Sequence, residues 1–526
     1  MKRLSKKSNA DNHNIISATT WKCELKWMSL LGISVAFLMA FSGLFSLSVV
    51  LQDTFLPFSL STLIHFHQGY TTDSSESSQS DNYDLLGGLL SAKGFEKGTC
   101  LSRYQASLYR KVSSYTPSSY LVSKLRAYER LHQRCSPNTE SYNRTLELID
   151  SARVLDTATD CNYLLWLSFS ALENRILSIS SAFLYAILTD RVLLIDRGSD
   201  MDDLFCEPFP DTSWLLPINF PFPNKLRSFD QRSGMSYGNM LRSNIVSNSN
   251  SSYPSSLYLH LAHDYDDYDQ RFFCDREQRF LRNVPWLIMK TDNYFIPSLF
   301  LIPSFEKQLH GLFPQKETVF HFLGRYLFHP TNSVWGLILR YYDAYLSKAD
   351  EKVGIQIGEL DTGLSPAQHV LDEIMACGIE ESLLPPLNQQ EEVVIPNATP
   401  KLKALLITSL NSGYYESIKN MYWEKPAVNG EIVSVYQPRF QQTEKRTHNR
   451  KAWAEMYLLS LTDVILTSSG SNFGYVAQGL GGLKPWILYK PENGTVPNPP
   501  CRHAMSVEPC FHAPPLYDCK AKKCYE

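Results

Sequence analysis

The sequence predicts an α/β protein with two Rossmann-like domains facing a cleft, set behind an N-terminal transmembrane helix and a stem. Three observations predict it. Short apolar runs alternate with helix-period patterns in two separate stretches of the chain. A charge-free apolar run, 27–51, precedes both stretches. The tract that follows the run, Ser-rich over 71–82, has too little apolar surface to offset the entropy of ordering.

At 526 residues the chain allows about three units of about 150 residues each. Apolar residues make up 44% and charged residues 20%, which excludes disorder for the bulk of the chain. With 50 basic against 53 acidic residues, no global field exists to hold a polyanion, so a nucleic-acid partner is excluded.

As a helix rising about 1.5 Å per residue, Trp27 to Leu51 exceeds a hydrocarbon core of about 30 Å. A cleaved signal peptide is the competing reading, but its apolar region is usually about 7–15 residues long. Lys2, Arg3, Lys6, Lys7, Lys22 and Lys26 precede the run and no base follows closely, so the positive-inside bias keeps 1–26 cytosolic. Residues 52–83 then form the stem. The body divides into 84–345 and 346–526 and faces a lumen. Ten of the 11 cysteines follow the run, as do Asn-x-Ser/Thr triplets at Asn143, Asn250, Asn397 and Asn493. Disulfides are expected, with the pairing open. The late cysteines contain no C-x-x-C pair, which argues against zinc.

Within the body, Tyr163 to Phe169 reads as a buried strand. Ile176, Ile179, Phe183 and Ile187 mark one helix face, and Val192 to Asp196 a second strand. The later stretch predicts strands over 353–357, 404–410, 432–436, 464–468 and 486–489. Helices are predicted over 366–377, 414–423, 448–461 and 473–480. Such alternation implies doubly wound, mostly parallel sheets, with ligands outside the carboxyl ends of the strands. Two such domains facing a cleft describe a B-type glycosyltransferase.

Several segments carry a resemblance. Among them are Leu85-Leu86-Gly87-Gly88-Leu89-Leu90, Asp196-Arg197-Gly198, Thr291-Asp292-Asn293-Tyr294-Phe295, Ala454-Glu455-Met456-Tyr457-Leu458-Leu459-Ser460 and Phe473-Gly474-Tyr475-Val476-Ala477-Gln478-Gly479. In these the chain, over roughly 84–519, resembles the plant xyloglucan fucosyltransferase family. The resemblance implies a Golgi enzyme, single-pass type II, that moves L-fucose from GDP-fucose to O-2 of a galactosyl residue with inversion and without a metal. The implied acceptor is xyloglucan or an arabinogalactan protein. A homodimer or other Golgi glycosyltransferases are the implied further partners. The competing function is an impaired homologue that binds glycan or accompanies active enzymes.

A departing GDP needs cations and amide donors, and the galactose hydroxyl needs a proton acceptor. The loop 467–472 ends one predicted strand and opens a helix. Ser469, Ser471, Asn472, Phe473, Gly474 and Tyr475 are therefore the candidate donor-binding residues; an ordinary βα loop with a Ser/Asn cap is the competing role. Asp292 is the candidate proton acceptor, against a strand-end cap. Asn174 and Arg175 follow a loop that in the family reads Ser-Gly-Leu-Gly-Asn-Arg. Here Ala171 and Glu173 replace its glycines, and strain in the loop is expected. The family usually places an arginine at the position of Gly358 to grip the diphosphate. Lys352, Arg325 and Arg446 are the cations available to replace it. Two acidic segments compete for attention. The run 263–269 is expected to be a solvated turn rather than a metal site, and 200–203 a helix-start carboxylate cluster.

Overall fold

The first sheet consists of β1 (Tyr163–Trp166), β2 (Val192–Ile195), β3 (Ser256–His260) and β4 (Trp286–Lys290). They lie in the order β2-β1-β4-β3, all parallel. Its central strand β1 is buried at every position. A strand covered on both faces must be continuously apolar, and Tyr-Leu-Leu-Trp is. Strand β1 ends at Trp166, earlier than the apolar run suggested. The chain turns at Ser170, a non-glycine residue with φ 72°, into helix α1 (Leu172–Leu188). Helix α1 is buried from Arg175 to Leu188. Its three serines survive there by returning their hydroxyls to carbonyls three or four residues back.

The computed structural model describes residues 85–526, except 92, 152–153, 156–158, 222–225, 247–252, 359–366, 390–398, 439–444, 490–494, 511–516, 521–522 and 525–526. The expected tail, anchor and stem lie outside the described residues. Among the described residues no helix is long and apolar enough to cross a membrane. Asn143 is exposed, and Asn250, Asn397 and Asn493 also lie outside the described residues.

The second sheet has six strands: β5 (Glu351–Ile357), β6 (Leu402–Ser409), β7 (Ile432–Tyr436), β8 (Val464–Ser468), β9 (Trp486–Leu488) and β10 (Cys501–His503). Their order is β10-β9-β8-β5-β6-β7, and only the edge strand β10 runs antiparallel. The chain proceeds outward from β5 through β6 to β7. It then returns to lay β8 on the other side of β5. Strand order therefore reverses between β5 and β8, the position where doubly wound sheets bind ligands.

The two sheets share one core. Helices α2 (Val319–Leu327), α3 (Lys445–Leu459) and α4 (Asn472–Gly481) lie between them. A single apolar cluster runs from Leu164 through Phe183, Leu323 and Trp453 to Leu480. Among the described residues four disulfides are formed: Cys100–Cys206, Cys135–Cys161, Cys274–Cys519 and Cys377–Cys501. Cys510 is free and exposed.

Candidate active site

A cavity of about 730 Å³ opens at the β5/β8 reversal. One wall is the second sheet's carboxyl edge, with Gln356 near the end of β5, Gly358 just after it, Thr408 at the end of β6 and Gly470 to Phe473 after β8. The facing wall is the N-cap and first turn of α1, Ala171 to Asn174, and α3 supplies His448, Asn449, Lys451 and Glu455.

The donor-side loop turns at Gly470, whose φ of 70° suits glycine. Ser471 then caps α4, its hydroxyl accepting the Gly474 N–H at 3.4 Å. The Asn472 and Phe473 amides have no carbonyl four residues back within the helix. With the helix dipole they form a site for an anion. The Asn472 side-chain amide donates to Asn174 Oδ1 at 2.6 Å, and Asn174 donates to Ser170 Oγ at 2.9 Å. One hydrogen-bonded chain thus joins the two walls.

Ser471, Asn472, Phe473 and Asn174 line the cavity, whereas Ser469, Gly474 and Tyr475 do not. Helix phase separates them. Ser469 is exposed on the outer side of the turn. Gly474 faces the sheet, where an added Cβ would stand 2.2 Å from Thr467 Oγ1, and its amide is already taken by Ser471. The Tyr475 phenol is pushed up to about 12 by burial and by the Cys510 thiol it meets.

Arg175 is buried behind the loop, with Nη1 donating to Asp200 Oδ1 at 2.8 Å. Asp200 also accepts from the Asn449 side chain, and Asp203 pairs with Arg450 at 2.9 Å. Burial pushes the Asp200 carboxyl up, but the bonds from Arg175 and Asn449 hold it below the usual carboxylate range. Arg175 is therefore a positioning residue. The acidic segment 200–203 opens a short helix, Met201–Leu204, as expected, and it also clamps α3 to the first sheet's loop. The expected strain at Ala171 and Glu173 is not found: Ala171 has φ −67°, and Glu173 lies in the first turn of α1. The left-handed position falls on Ser170 instead.

Gly358 sits at the cavity with its N–H bonded to Ser468 Oγ at 3.1 Å. Lys352 lies at the far end of β5 and bonds Ala349 O. Arg325 is buried against the Leu480 and Gly481 carbonyls at the other end of α4. Neither reaches the cavity, and the Arg446 side chain lies outside the described residues. The cation that does line it among the described residues is Lys451, which sequence reasoning missed. Its ammonium is 3.5 Å from Glu455 Oε1. Burial lowers the Lys451 ammonium and pushes the Glu455 carboxyl up to about 7. Glu173, on the facing wall, is also raised by burial. The spacing 448, 451 and 455 places these side chains on one helix face, a signal present in the sequence.

Asp292 follows β4 and does not line this cavity. Its carboxylate accepts the His263 N–H at 2.9 Å and lies 2.6 Å from His263 Nδ1. That hydrogen bond and the carboxylate charge raise the His263 imidazole. The turn after β4 is capped by Thr291 through the Asn293 N–H, not by Asp292. The carboxylates of 263–269 serve local structure: Asp264 bonds His260, and Asp266 and Asp269 form a capping box.

A family model described as xyloglucan fucosyltransferase matches residues 60–520. A galactoside 2-alpha-L-fucosyltransferase of Pisum sativum is 59% identical over 507 residues, covering 95% of this chain and 89% of its own. One of the same description from Arabidopsis thaliana is 60% identical over 441 residues, covering 83% and 78%. Among solved structures, a mutant of Arabidopsis thaliana FUT1 in complex with GDP superposes with a TM-score of 0.78 at 58% identity, covering 84% of this chain and 95% of that one.

Proposed function

The chain belongs to the xyloglucan fucosyltransferase family, and on that premise we propose that it transfers L-fucose from GDP-fucose to O-2 of a galactosyl residue on a cell-wall glycan, with inversion. The proposed acceptor is xyloglucan or an arabinogalactan, and the proposed location is the Golgi lumen behind a type II anchor. The observation that carries the donor assignment is the cavity at the β5/β8 reversal, into which Lys451 and the first turn of α4 face.

As the fucosyl C1–O bond to the diphosphate breaks, negative charge collects on the departing phosphate. The Asn472 and Phe473 amides, the α4 dipole and the Lys451 ammonium stabilise that charge. These groups are preorganised by the Ser471 cap and the Asn472–Asn174 bond, so little reorganisation accompanies the step. The galactose O-2 attacks C1 from the opposite face, and its proton passes through water to the Asp292–His263 pair. Glu173 and Glu455 line the same cavity, where an ionised carboxylate would favour the oxocarbenium-like charge of the fucosyl centre.

The test is incubation of the full-length protein, in microsomes, with GDP-fucose and galactose-bearing xyloglucan or arabinogalactan. The expected product carries fucose α-linked to galactose O-2. GDP release without transfer would show hydrolysis alone, and neither product would assign a glycan-binding role.

A further inference from the structure

A small cavity, about 10 Å³, lies away from the donor cleft, near the start of the body. Three arginines and a histidine face it. Arg103 and Arg110 stand on either side of the turn 106–108, Arg325 comes from the last turn of α2, and His329 follows that helix. None of the four lines the donor cavity. Arginine stays protonated in proteins, so three positive charges converge on room for about one water-sized species. Among the described residues none of the three forms an ion pair with a carboxylate. The carboxylate whose charge reaches Arg103, that of Glu129, is bonded instead to Arg126 at 2.9 Å and to the Tyr326 hydroxyl at 2.8 Å.

Their hydrogen bonds leave specific donors over. Arg103 Nη2 donates to the Glu207 and Pro208 carbonyls at 3.4 Å and 3.1 Å, and its guanidinium lies over the Phe95 ring. Arg325 donates from Nε and Nη2 to the Leu480 and Gly481 carbonyls. Arg110 lies over the Tyr457 ring. The Nε–H groups of Arg103 and Arg110, and His329 Nε2, are buried with no hydrogen-bond partner among the described residues. Burial with the charges of Arg103 and Arg110 pushes the His329 imidazole well below its usual range, and burial with Arg110 lowers the Arg325 guanidinium. Both shifts run in the direction that crowded positive charge imposes.

The occupant must therefore accept enclosed N–H groups and offset their charge. A water molecule does the first and not the second. A carboxylate, phosphate or sulfate does both but has more heavy atoms than the space admits. A monatomic anion does both and fits. Ser107, also on the lining, is exposed and Arg110 half-buried, which leaves an ion a way in. We propose that this cavity binds one chloride ion, which accepts the Arg103 and Arg110 Nε–H groups with the Arg325 charge behind them. The ion ties the segment 101–110 to α2, which carries Arg325, and to α3, on whose Tyr457 ring Arg110 rests. Its effect falls on the stability of the fold, so it stands apart from the glycosyl-transfer reading.

The test is urea unfolding of the full-length protein in detergent, since urea brings no chloride. Sodium chloride is raised from about 1 to 100 mM while sodium gluconate, whose anion is too large for the cavity, holds the ionic strength constant. A ligand that binds only the folded chain multiplies the folded-to-unfolded ratio by 1 + [L]/Kd. That ratio should thus grow about tenfold for each tenfold rise in chloride above Kd. Arg110→Gln removes one charge and one Nε–H donor, and the folded variant should lose most of the response. Equal stability of the wild type in the two salts would overturn the site, as would an undiminished response in folded Arg110→Gln. Hydrogen exchange on the wild type decides the placement should that variant not fold. Chloride should slow exchange within 101–110 and 325–329, and slowing confined to other segments would overturn the proposal.

Discussion

Replacing Gly358 by arginine should tighten GDP binding, and the structure sets both the gain and its cost. Gly358 is exposed at the end of β5 and is not at positive φ, so a longer side chain imposes no backbone strain. A guanidinium reaching the diphosphate forms a charge-assisted hydrogen bond worth about 1.5–3 kcal/mol, or about ten- to a hundredfold in affinity. The cost is crowding. A Cβ at 358 stands 3.2 Å from Ser471 Oγ and 3.4 Å from Gln356 Nε2. Ser471 is the cap of α4, and disturbing such a cap costs about 0.5–2 kcal/mol of stability. Gly358→Ala carries the same crowding without the charge, so it is the reference. Calorimetric titration with GDP should show Gly358→Arg binding about ten- to a hundredfold more tightly than Gly358→Ala, while both unfold at similar temperatures. Equal affinities in two folded variants would refute the reasoning, and would mean that Glu173 or Glu455 has captured the new guanidinium.

Lys451→Met should weaken GDP binding about tenfold or more by the same arithmetic, read in the same titration; unchanged affinity would remove Lys451 from the donor site. Glu455, with its carboxyl near 7, acquires charge beside the diphosphate as pH rises, so wild-type GDP affinity should fall between pH 6 and 8, and Glu455→Gln should flatten that dependence. Asp292→Ala should lower transfer by about 10²–10⁴-fold with GDP affinity intact, and unchanged turnover in a folded variant would leave Asp292 only its bond to His263. Glu508 is enclosed against Tyr294 and the Phe320 amide, and burial pushes its carboxyl from 4.5 up to about 8. The unfolded chain releases that proton first, so the contribution of Glu508 to stability should be greatest below about pH 4.5 and fall as pH rises towards 8, by at most about 1.4 kcal/mol per unit. Denaturant titrations at pH 5, 6.5 and 8 should show a shallower decline in Glu508→Gln.

Two strands lie where their apolar runs lie: Val464–Ser468, paired on both sides and buried at its middle three positions, and the edge strand Ile432–Tyr436, exposed at Ile432 and half-buried beyond it. The first has an unbroken apolar run because a parallel strand inside the sheet has no polar face to interrupt the pattern. Strands β3 and β4 were not legible as members of the first sheet. Strand β4 pairs with β1, which lies far earlier in the chain, and β3 joins the sheet through β4. In the cleft, a strand-end loop before a helix was enough to place Ser471, Asn472 and Phe473 on the cavity wall. That Gly474 and Tyr475 do not line it depends on the helix phase, which the Ser471 cap fixes in three dimensions, and Ser469 stands before the Gly470 turn. Lys451 and Glu455 sat in plain periodicity on α3, but which face of α3 meets the cavity depends on how that helix crosses the first sheet's loop.

That crossing is fixed by buried charge rather than by apolar packing alone. Arg175, Asp200 and Asn449 come from three separate elements and meet with almost no solvent. Removing Arg175 or Asp200 would strand a desolvated charge, at a cost of about 3–5 kcal/mol, and sliding α3 by part of a turn would break the Asn449 bond that ties it to that pair. The clamp therefore selects one position for α3, and with it the distance from Lys451 and Glu455 to Asn174. Helix α4 is held in a complementary way: Arg325 satisfies the Leu480 and Gly481 carbonyls at its negative end, while its positive end opens on the cavity. Although Arg325 does not reach the donor cavity, it anchors the helix whose first turn does. Position 358 lies at the end of β5, outside both of these devices. A change of side chain there alters the charge presented to the diphosphate without moving α3, so this chain can lack a cation at Gly358 and still keep the walls of its cleft in register.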